Sequence, residues 1–333
     1  MPKVVVTDFI TEPLDLEREI FGNHAEVSAI DAKVESDLEG KVEDADTIMM
    51  YHFLSIGEET LRRLKNCKLI VRCGVGFDNV DHATARQLGI PVANVPDYGT
   101  EEVADSAIGH LLGFFRGIFL LNSRLRRAEG PWSYEQAKPL TRVRGQKLGI
   151  IGLGRIGTAT AIRAKALGLD VLFFDPYLPD GIDKSLGIKR IESLEEILAS
   201  ADAISLHCPL SDETHHLIDH SAVDQMKKGS YLVNTARGGI VAPEAALVGI
   251  SSGKLSGVAL DVLETEPPDE DSPLIQAWRD PEHPAHDRLV INPHAAFYSE
   301  QGLADMRTKG SENCLRAILG QTPRNIINQH PIV

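Results

Sequence analysis

Basic residues are the scarcest resource in this chain relative to its needs. Lys and Arg number 34 against 48 Asp and Glu, a net charge of −14 over 333 residues. A general nucleic-acid or anionic-membrane partner requires a basic face, and this balance speaks against one. It leaves room for a small anionic substrate, which needs only a local positive site. Cysteines are also few: Cys67, Cys73, Cys208 and Cys314. They form no CxxC or Cys/His spacing of a zinc site, so no metal is expected. Scattered thiols in a large chain fit a reducing compartment. Aromatic residues make up 5% of the chain. No apolar run approaches the roughly 18 residues of a membrane helix. The opening MPKVVVTDFI lacks the basic start and long apolar core of a signal peptide. The expectation is a cytoplasmic protein with no membrane partner.

What the chain does have is alternation. The run Lys3–Asp8 reads as a buried strand, 14–22 as a helix ending at Gly22, 47–50 as a strand, 58–66 as a helix and 69–72 as a strand. A short helix (82–88) and a strand (90–95) follow. Strands alternating with helices imply a parallel α/β sheet. A single long apolar helix is expected from Thr100, either deeply buried or at a subunit interface. Residues 128–146 read as a connection and 267–287, rich in Pro and acids, as a long surface loop.

The most informative stretch is Lys147–Asp175. An apolar run ends in Gly152-Leu153-Gly154-Arg155-Ile156-Gly157, a helical pattern follows, and a second apolar run ends in Asp175. This is the order of a dinucleotide-binding unit. The first glycine permits the tight turn, the second a close approach of pyrophosphate, the third close helix–strand packing. The helix N-terminus presents N–H groups to phosphate. Asp175, 18 residues after Gly157, can accept from ribose hydroxyls and repels a 2′-phosphate. The cofactor expected is therefore NAD.

Each later strand ends in chemistry-bearing residues: His207-Cys208-Pro209, Asn234-Thr235-Ala236-Arg237, Asp261 through Glu266, and Asn292-Pro293-His294. Ligands of open α/β sheets bind at these carboxyl ends. Arg237 suits a carboxylate through its planar fork. His294 suits proton exchange near neutral pH. Glu266 suits orientation of that imidazole. Taken singly each is more often a structural residue; together, downstream of a dinucleotide motif, they point to one catalytic set. Asp261 is read as facing the nicotinamide carboxamide in preference to capping a loop, and His207 either as a second proton donor or as a core or loop residue.

GLGRIG, Asp175, HCPL, NTARGG, ALDVLETEP and NPHAAFYSE, in this order, resemble the D-isomer-specific 2-hydroxyacid dehydrogenases over nearly the whole chain. IVRCGVGFDNVD and HAAFYSEQ look most like the C-terminal-binding protein branch, which contains NAD(H)-sensing corepressors. Phe297, where that branch has Trp, and Gly74-Val75-Gly76, where it has Gly-Ser-Gly, depart from it.

The resemblance implies two doubly wound parallel-sheet domains. One is a Rossmann NAD domain over 100–298. The other is a flavodoxin-like substrate domain from 1–99 and 299–333. It implies Arg237, Glu266 and His294 as the catalytic set. It places Thr100, Ile151, Gly152, Leu153, Gly154, Arg155, Ile156, Asp175, Cys208, Pro209, Thr214, Thr235, Ala236, Asp261 and His294 around NAD. Tyr51, His52, Arg72, Val75, Gly76, Arg237 and Phe297 would surround the substrate. The implied partner is a small 2-keto or 2-hydroxy acid, in a homodimer built through the helix from Thr100. The alternative is an NADH-sensing, corepressor-like interaction protein with weak catalysis.

Overall fold

The computed structural model describes residues 1–329. The chain packs as two compact units, one made of Met1–Gly99 with the chain from Ser299 onward, the other of Thr100–Tyr298.

The first unit contains β1 (Lys3–Val6), α1 (Asp15–Phe21), β2 (Glu26–Ala29), β3 (Thr47–Met50), α2 (Glu58–Arg63), β4 (Leu69–Arg72), α3 (His82–Gln87) and β5 (Val92–Asn94). Its five strands pair in parallel in the order β2-β1-β3-β4-β5. This is the doubly wound, flavodoxin-like order. Strands buried on both faces read as unbroken apolar runs, and β3 and β4 are buried at every position. One face packs Leu61 and Ala85 of the crossover helices against Ile48, Met50 and Ile70. On this unit α1 meets a helix from far along the sequence, Glu300–Ile318, where Glu17, fully buried, accepts two bonds of 2.7 Å from Arg307.

The second unit continues with α4 (Thr100–Phe115), α5 (Ile118–Arg126), β6 (Lys147–Ile151), α6 (Arg155–Ala166), β7 (Asp170–Phe174), α7 (Ile182–Leu186), β8 (Lys189–Arg190), α8 (Leu194–Ser200) and β9 (Ala203–Leu206). It closes with α9 (His220–Gln225), β10 (Ser230–Asn234), α10 (Pro243–Ser251), β11 (Leu255–Leu260), α11 (Pro273–Arg279) and β12 (Leu289–Ile291); α12 (Glu300–Ile318) then belongs to the first unit. The seven-stranded parallel sheet runs β12-β11-β10-β9-β6-β7-β8. The chain winds outward from β6 to β8, returns to β9 beside β6, and winds out the other way. That reversal is the switch point at which dinucleotides bind. Alternation within the strands builds both faces: Leu232, Val258 and Leu260 join the core under α8–α11, and Val233 and Ala259 the core under α4 and α6.

Two expectations from sequence are corrected here. The long helix from Thr100 is two helices, bent by 67° between Phe115 and Ile118. Gly117 sits at φ 64°, a conformation that ends a helix turn and costs any other residue strain. Its apolar neighbours hid the break, because they continue on both sides. Residues 267–287 are not an open loop. Pro273 begins α11, which buries Leu274, Ile275 and Ala277, and a 3-10 turn (Pro284–Asp287) follows. Proline suits the first helical turn, where its missing N–H has no partner to lose. Trp278 packs against the core from α11, and its carbonyl meets His286 Nδ1 at 2.9 Å. Among the described residues, no single helix is long and apolar enough to cross a membrane.

Candidate active site

The glycine turn after β6 is compact. Gly152 lies at φ 86°, and a Cβ there would stand 2.5 Å from the backbone nitrogen of Cys208 at the end of β9. A Cβ on Gly157 would stand 2.2 Å from the Gly152 carbonyl oxygen. Both positions therefore exclude side chains for backbone reasons. Gly154 is different: a Cβ there meets nothing within 4 Å. It is the N-cap of α6 and brings no side-chain acceptor, so the helix N-terminus faces open space lined by main-chain donors. Ile151 and Leu153 are buried beneath this turn, whereas Gly154 and Arg155 are exposed.

Asp175 closes the far side. Its Oδ2 accepts from Leu153 N–H at 2.9 Å and its Oδ1 from Tyr177 N–H at 3.1 Å. Each carboxylate oxygen retains a second lone pair, so the group is held in place and still able to accept from a ribose diol. Thr235, at the end of β10, is 7% exposed and its buried hydroxyl has no hydrogen-bond partner. An orphaned buried hydroxyl costs about 1–3 kcal/mol unless a ligand group meets it. The open cradle over Gly154, the fixed carboxylate and this hydroxyl fit NAD.

Neighbouring strands β10, β11 and β12 deliver the rest. Arg237 follows β10 and donates from Nη1 to the Ala236 carbonyl at 2.8 Å. Asn234, fully buried, fixes that turn: its Nδ2 donates to the Arg237 carbonyl at 2.8 Å and its Oδ1 accepts from Ala236 N–H at 3.0 Å. Glu266 Oε1 accepts from Leu263 N–H at 2.8 Å, and Glu266 Oε2 lies 2.7 Å from His294 Nδ1. His294 is in the left-handed region at φ 51°, and its ring meets Phe297 edge-on at 6.1 Å. Such a backbone costs a non-glycine residue about 1 kcal/mol or more and persists only where neighbours enforce it.

The enforcing group is Asp261. Only 2% exposed, it accepts from the N–H groups of Ala295 and Ala296 at 3.0 Å each, and its carbonyl accepts from His294 N–H at 2.7 Å. These bonds make Asp261 a cap of the loop that carries His294. Asn234 and Asp261 both fix main chain here, and Asn234 is the one to which the sequence assigned no role. The available signal was an Asn or Asp at a strand end, a residue that bonds nearby main chain.

His207 and Cys208 end β9. His207 Nε2 is 2.9 Å from Ser205 Oγ, its Nδ1 is buried without a partner, and burial pushes its pKa down to about 4. Burial therefore favours the neutral form of His207 at pH 7. The Cys208 thiol is pushed up to about 11, chiefly by burial. Thr214 is absorbed by its own turn, donating to the Pro209 carbonyl at 2.6 Å and accepting from Ser211 N–H at 2.8 Å. Thr100 stands at the start of α4, and Ile156 and Ala236 are half-buried beside the turns already described.

The folded His207 pKa lies below the unfolded value, so the unfolded chain binds the extra proton. Stability is complete above pH 6.5 and drains as pH falls toward 4. Between pH 7.5 and 5 the loss from this group is about 2 kcal/mol. Urea unfolding of the wild type against His207→Asn at the two pH values measures it, and equal pH slopes would refute it.

In the first unit, the remaining substrate candidates cluster around β3 and β4. Asp8, fully buried, accepts from the N–H groups of Tyr51 and Phe53 at 2.8 Å each. Asn79 donates to the carbonyls of Tyr51 and Leu54 and accepts from Arg72 Nε. His52 packs its ring at 4.6 Å from both Phe9 and Phe53. Arg72 lies so close to Gly74 that a Cβ there would overlap its guanidinium. Val75 and Gly76 are half-buried in the following turn, and the Val75 carbonyl accepts from Asn94 at 2.7 Å. Tyr51 is corrected to a core residue: its side chain is fully buried, and burial beside the Cys73 thiol raises its phenol pKa.

Fold and site together define a dinucleotide-binding α/β protein with a carboxylate–imidazole pair at its strand ends. Residues 108–296 match the NAD binding domain of the D-isomer specific 2-hydroxyacid dehydrogenases, and the chain belongs to that family. It is 33% identical over 318 residues to C-terminal-binding protein 1 of Caenorhabditis elegans, across 93% of this chain and 42% of that protein. It is 32% identical over 328 residues to D-3-phosphoglycerate dehydrogenase of Methanocaldococcus jannaschii, across 98% of this chain and 60% of that protein. It therefore spans less than two thirds of either relative. D-lactate dehydrogenase from Aquifex aeolicus, complexed with NAD and lactic acid, is similar in structure with a TM-score of 0.83 and 28% identity, covering 98% of this chain and 99% of that one.

Proposed function

We infer that the protein is an NAD-dependent D-2-hydroxyacid dehydrogenase that interconverts a 2-keto acid and a D-2-hydroxy acid. The observation that carries this reading is the 2.7 Å contact between His294 Nδ1 and Glu266 Oε2, made beyond the carboxyl ends of β12 and β11 in the same parallel sheet whose β6 ends in the glycine turn. A carboxylate at Nδ1 fixes the ring and directs Nε2 to the reacting oxygen, the arrangement needed to pass one proton to a forming alkoxide. NAD(H), when bound, supplies or accepts the hydride. Arg237 holds the substrate carboxylate and polarises the adjacent carbonyl through its fixed cationic fork. Asn234 and Asp261 keep these groups in register, since a misplacement of about 1 Å costs as much as 10²-fold in rate.

Ile118, Trp132 and Tyr134 on and after α5 are 55%, 90% and 72% exposed, apolar surface that supports a homodimer through this segment. We place the protein in the cytoplasm, on its few unpaired thiols. The NADH-sensing, corepressor-like alternative has no observation in its favour beyond likeness. The test is a panel of 2-keto acids with NADH, followed by loss of NADH absorbance, on a preparation sized by light scattering. Turnover of at least one acid by a dimer is expected. Tight NADH binding with no oxidation by any of them would sink the dehydrogenase reading.

A further inference from the structure

A second cluster of donors stands on the same unit, outside the His294–Glu266 pair. It begins in the turn after β9. Thr214 clamps that turn through Pro209 and Ser211, and the chain then enters His215-His216. His216 is left-handed, at φ 50°, and its N–H donates to the Gly239 carbonyl at 2.7 Å. Both histidines lie in a hydrogen-bonded turn, in which His215 N–H donates to the Ser211 carbonyl at 2.8 Å. The two rings are stacked, with centroids 4.0 Å apart and planes 25° from parallel.

Glu264 comes to meet them from the turn after β11. Its Oε1 lies 3.5 Å from His215 Nε2 and 3.1 Å from His216 Nε2. All three donor atoms fall within 4.8 Å of one another. Zinc bonds nitrogen and oxygen at about 2.0–2.1 Å in a tetrahedron, which separates its donors by about 3.3 Å. The two observed distances bracket that value. One hydrogen bond would account for the shorter contact. Two imidazole nitrogens and one carboxylate oxygen, all within 4.8 Å of one another, are close enough to share one ion.

The donor set names the class of ion. Two imidazoles and one carboxylate suit zinc, cobalt or nickel, whereas magnesium and calcium require oxygen throughout. The thiols offer no competition: all are uncrosslinked, and burial pushes Cys67 and Cys314 up to about 12 and Cys208 to about 11. Among the described residues, this is the one group of three such side chains whose donors converge.

We propose that His215, His216 and Glu264 form a site for a divalent transition-metal ion of the zinc class, bound through two imidazole Nε2 atoms and one carboxylate oxygen. The ion ties two turns together. One carries Cys208, Pro209 and Thr214; the other leads from Asp261 to Glu266. Because Glu264 stands two residues from Glu266, a bound ion stiffens the loop that positions His294. Both histidines would carry their proton on Nδ1 in the bound state, leaving Nε2 as the ligand atom.

The test uses the full chain without an affinity tag, stripped by chelator and titrated with Co²⁺ alone. One ion per chain is expected, with the visible bands of four-coordinate cobalt, displaced by Zn²⁺. His215→Ala and Glu264→Gln alter exposed side chains, so each should fold with the wild-type melting temperature in chelator. Each should weaken binding about tenfold or more. In the wild type and in neither variant, Zn²⁺ should slow amide hydrogen exchange over residues 262–266. Absence of saturable binding to the wild type overturns the proposal, and so does Co²⁺ affinity unchanged in both variants.

Discussion

His294→Ala lowers kcat/KM by about 10²–10⁴-fold, the range removed with a positioned acid–base group, while NADH still binds. The loss is expected in turnover because the proposed mechanism gives His294 the proton transfer to the reacting oxygen, and the glycine turn is built without it. Alanine also inherits the left-handed backbone of position 294, at φ 51°, where it is strained. A second variant removes that ambiguity. His294→Asn keeps a side chain that tolerates the left-handed region and supplies no titrating group. Both variants should therefore lose turnover alike, with the Asn protein retaining the wild-type melting temperature. Steady-state kinetics beside NADH fluorescence titration measure the effect. Near-wild-type turnover in the Asn variant would remove His294 from the mechanism.

Gly238→Ala is the more indirect change and the more diagnostic one. A methyl group at Gly238 would stand 1.9 Å from the carbonyl carbon of Leu263, 2.1 Å from its oxygen and 2.3 Å from the nitrogen of Glu264. These are main-chain atoms, so no rotamer change relieves the overlap; one turn must move. Leu263 N–H donates to Glu266 Oε1, so moving the turn displaces the carboxylate that orients His294. A fall in kcat/KM of about 10² is expected for a displacement near 1 Å. The overpacking also costs about 1–3 kcal/mol of stability. The Arg237 side chain itself is unchanged, so substrate KM should move less than kcat. Kinetics at saturating NADH, with a urea midpoint for stability, decide it. Unchanged kcat would mean that the turn absorbs the methyl group elsewhere and that Glu266 is not placed through Leu263.

How far the sequence spoke for itself differs from feature to feature. The strands were legible because a strand buried on both faces is an unbroken apolar run, as β3 and β4 are. The short edge strand β2 was not, because only Val27 in it is buried. The glycine turn was legible because its requirement is local: Gly152 and Gly157 are confined by atoms within the same motif or the adjacent strand end. Gly238 obeys the same physics, but its confining atoms lie in the turn after β11, out of sight of any local pattern. The break at Gly117 was masked by apolar residues on both sides. Tyr51 next to His52 looked like a pocket wall and proved to be core, since which side of the chain faces inward depends on Asp8, 43 residues earlier. The convergence of His215 and His216 on Glu264 likewise depends on two strand ends arriving together.

The discontinuity of the first unit has a consequence for how the molecule comes into being. α12 packs on β3, β4 and α1, and Arg307 neutralises the buried Glu17. Gly310 lets α12 approach this sheet: a Cβ there would stand 2.7 Å from the Cys73 sulfur. During synthesis the second unit, Thr100–Tyr298, is complete while α12 is still to be made. The N-terminal sheet must wait on the ribosome with an apolar face uncovered and a carboxylate without its guanidinium. The order of sealing thus departs from the order of sequence: the strands translated earliest are covered only once α12 has been made.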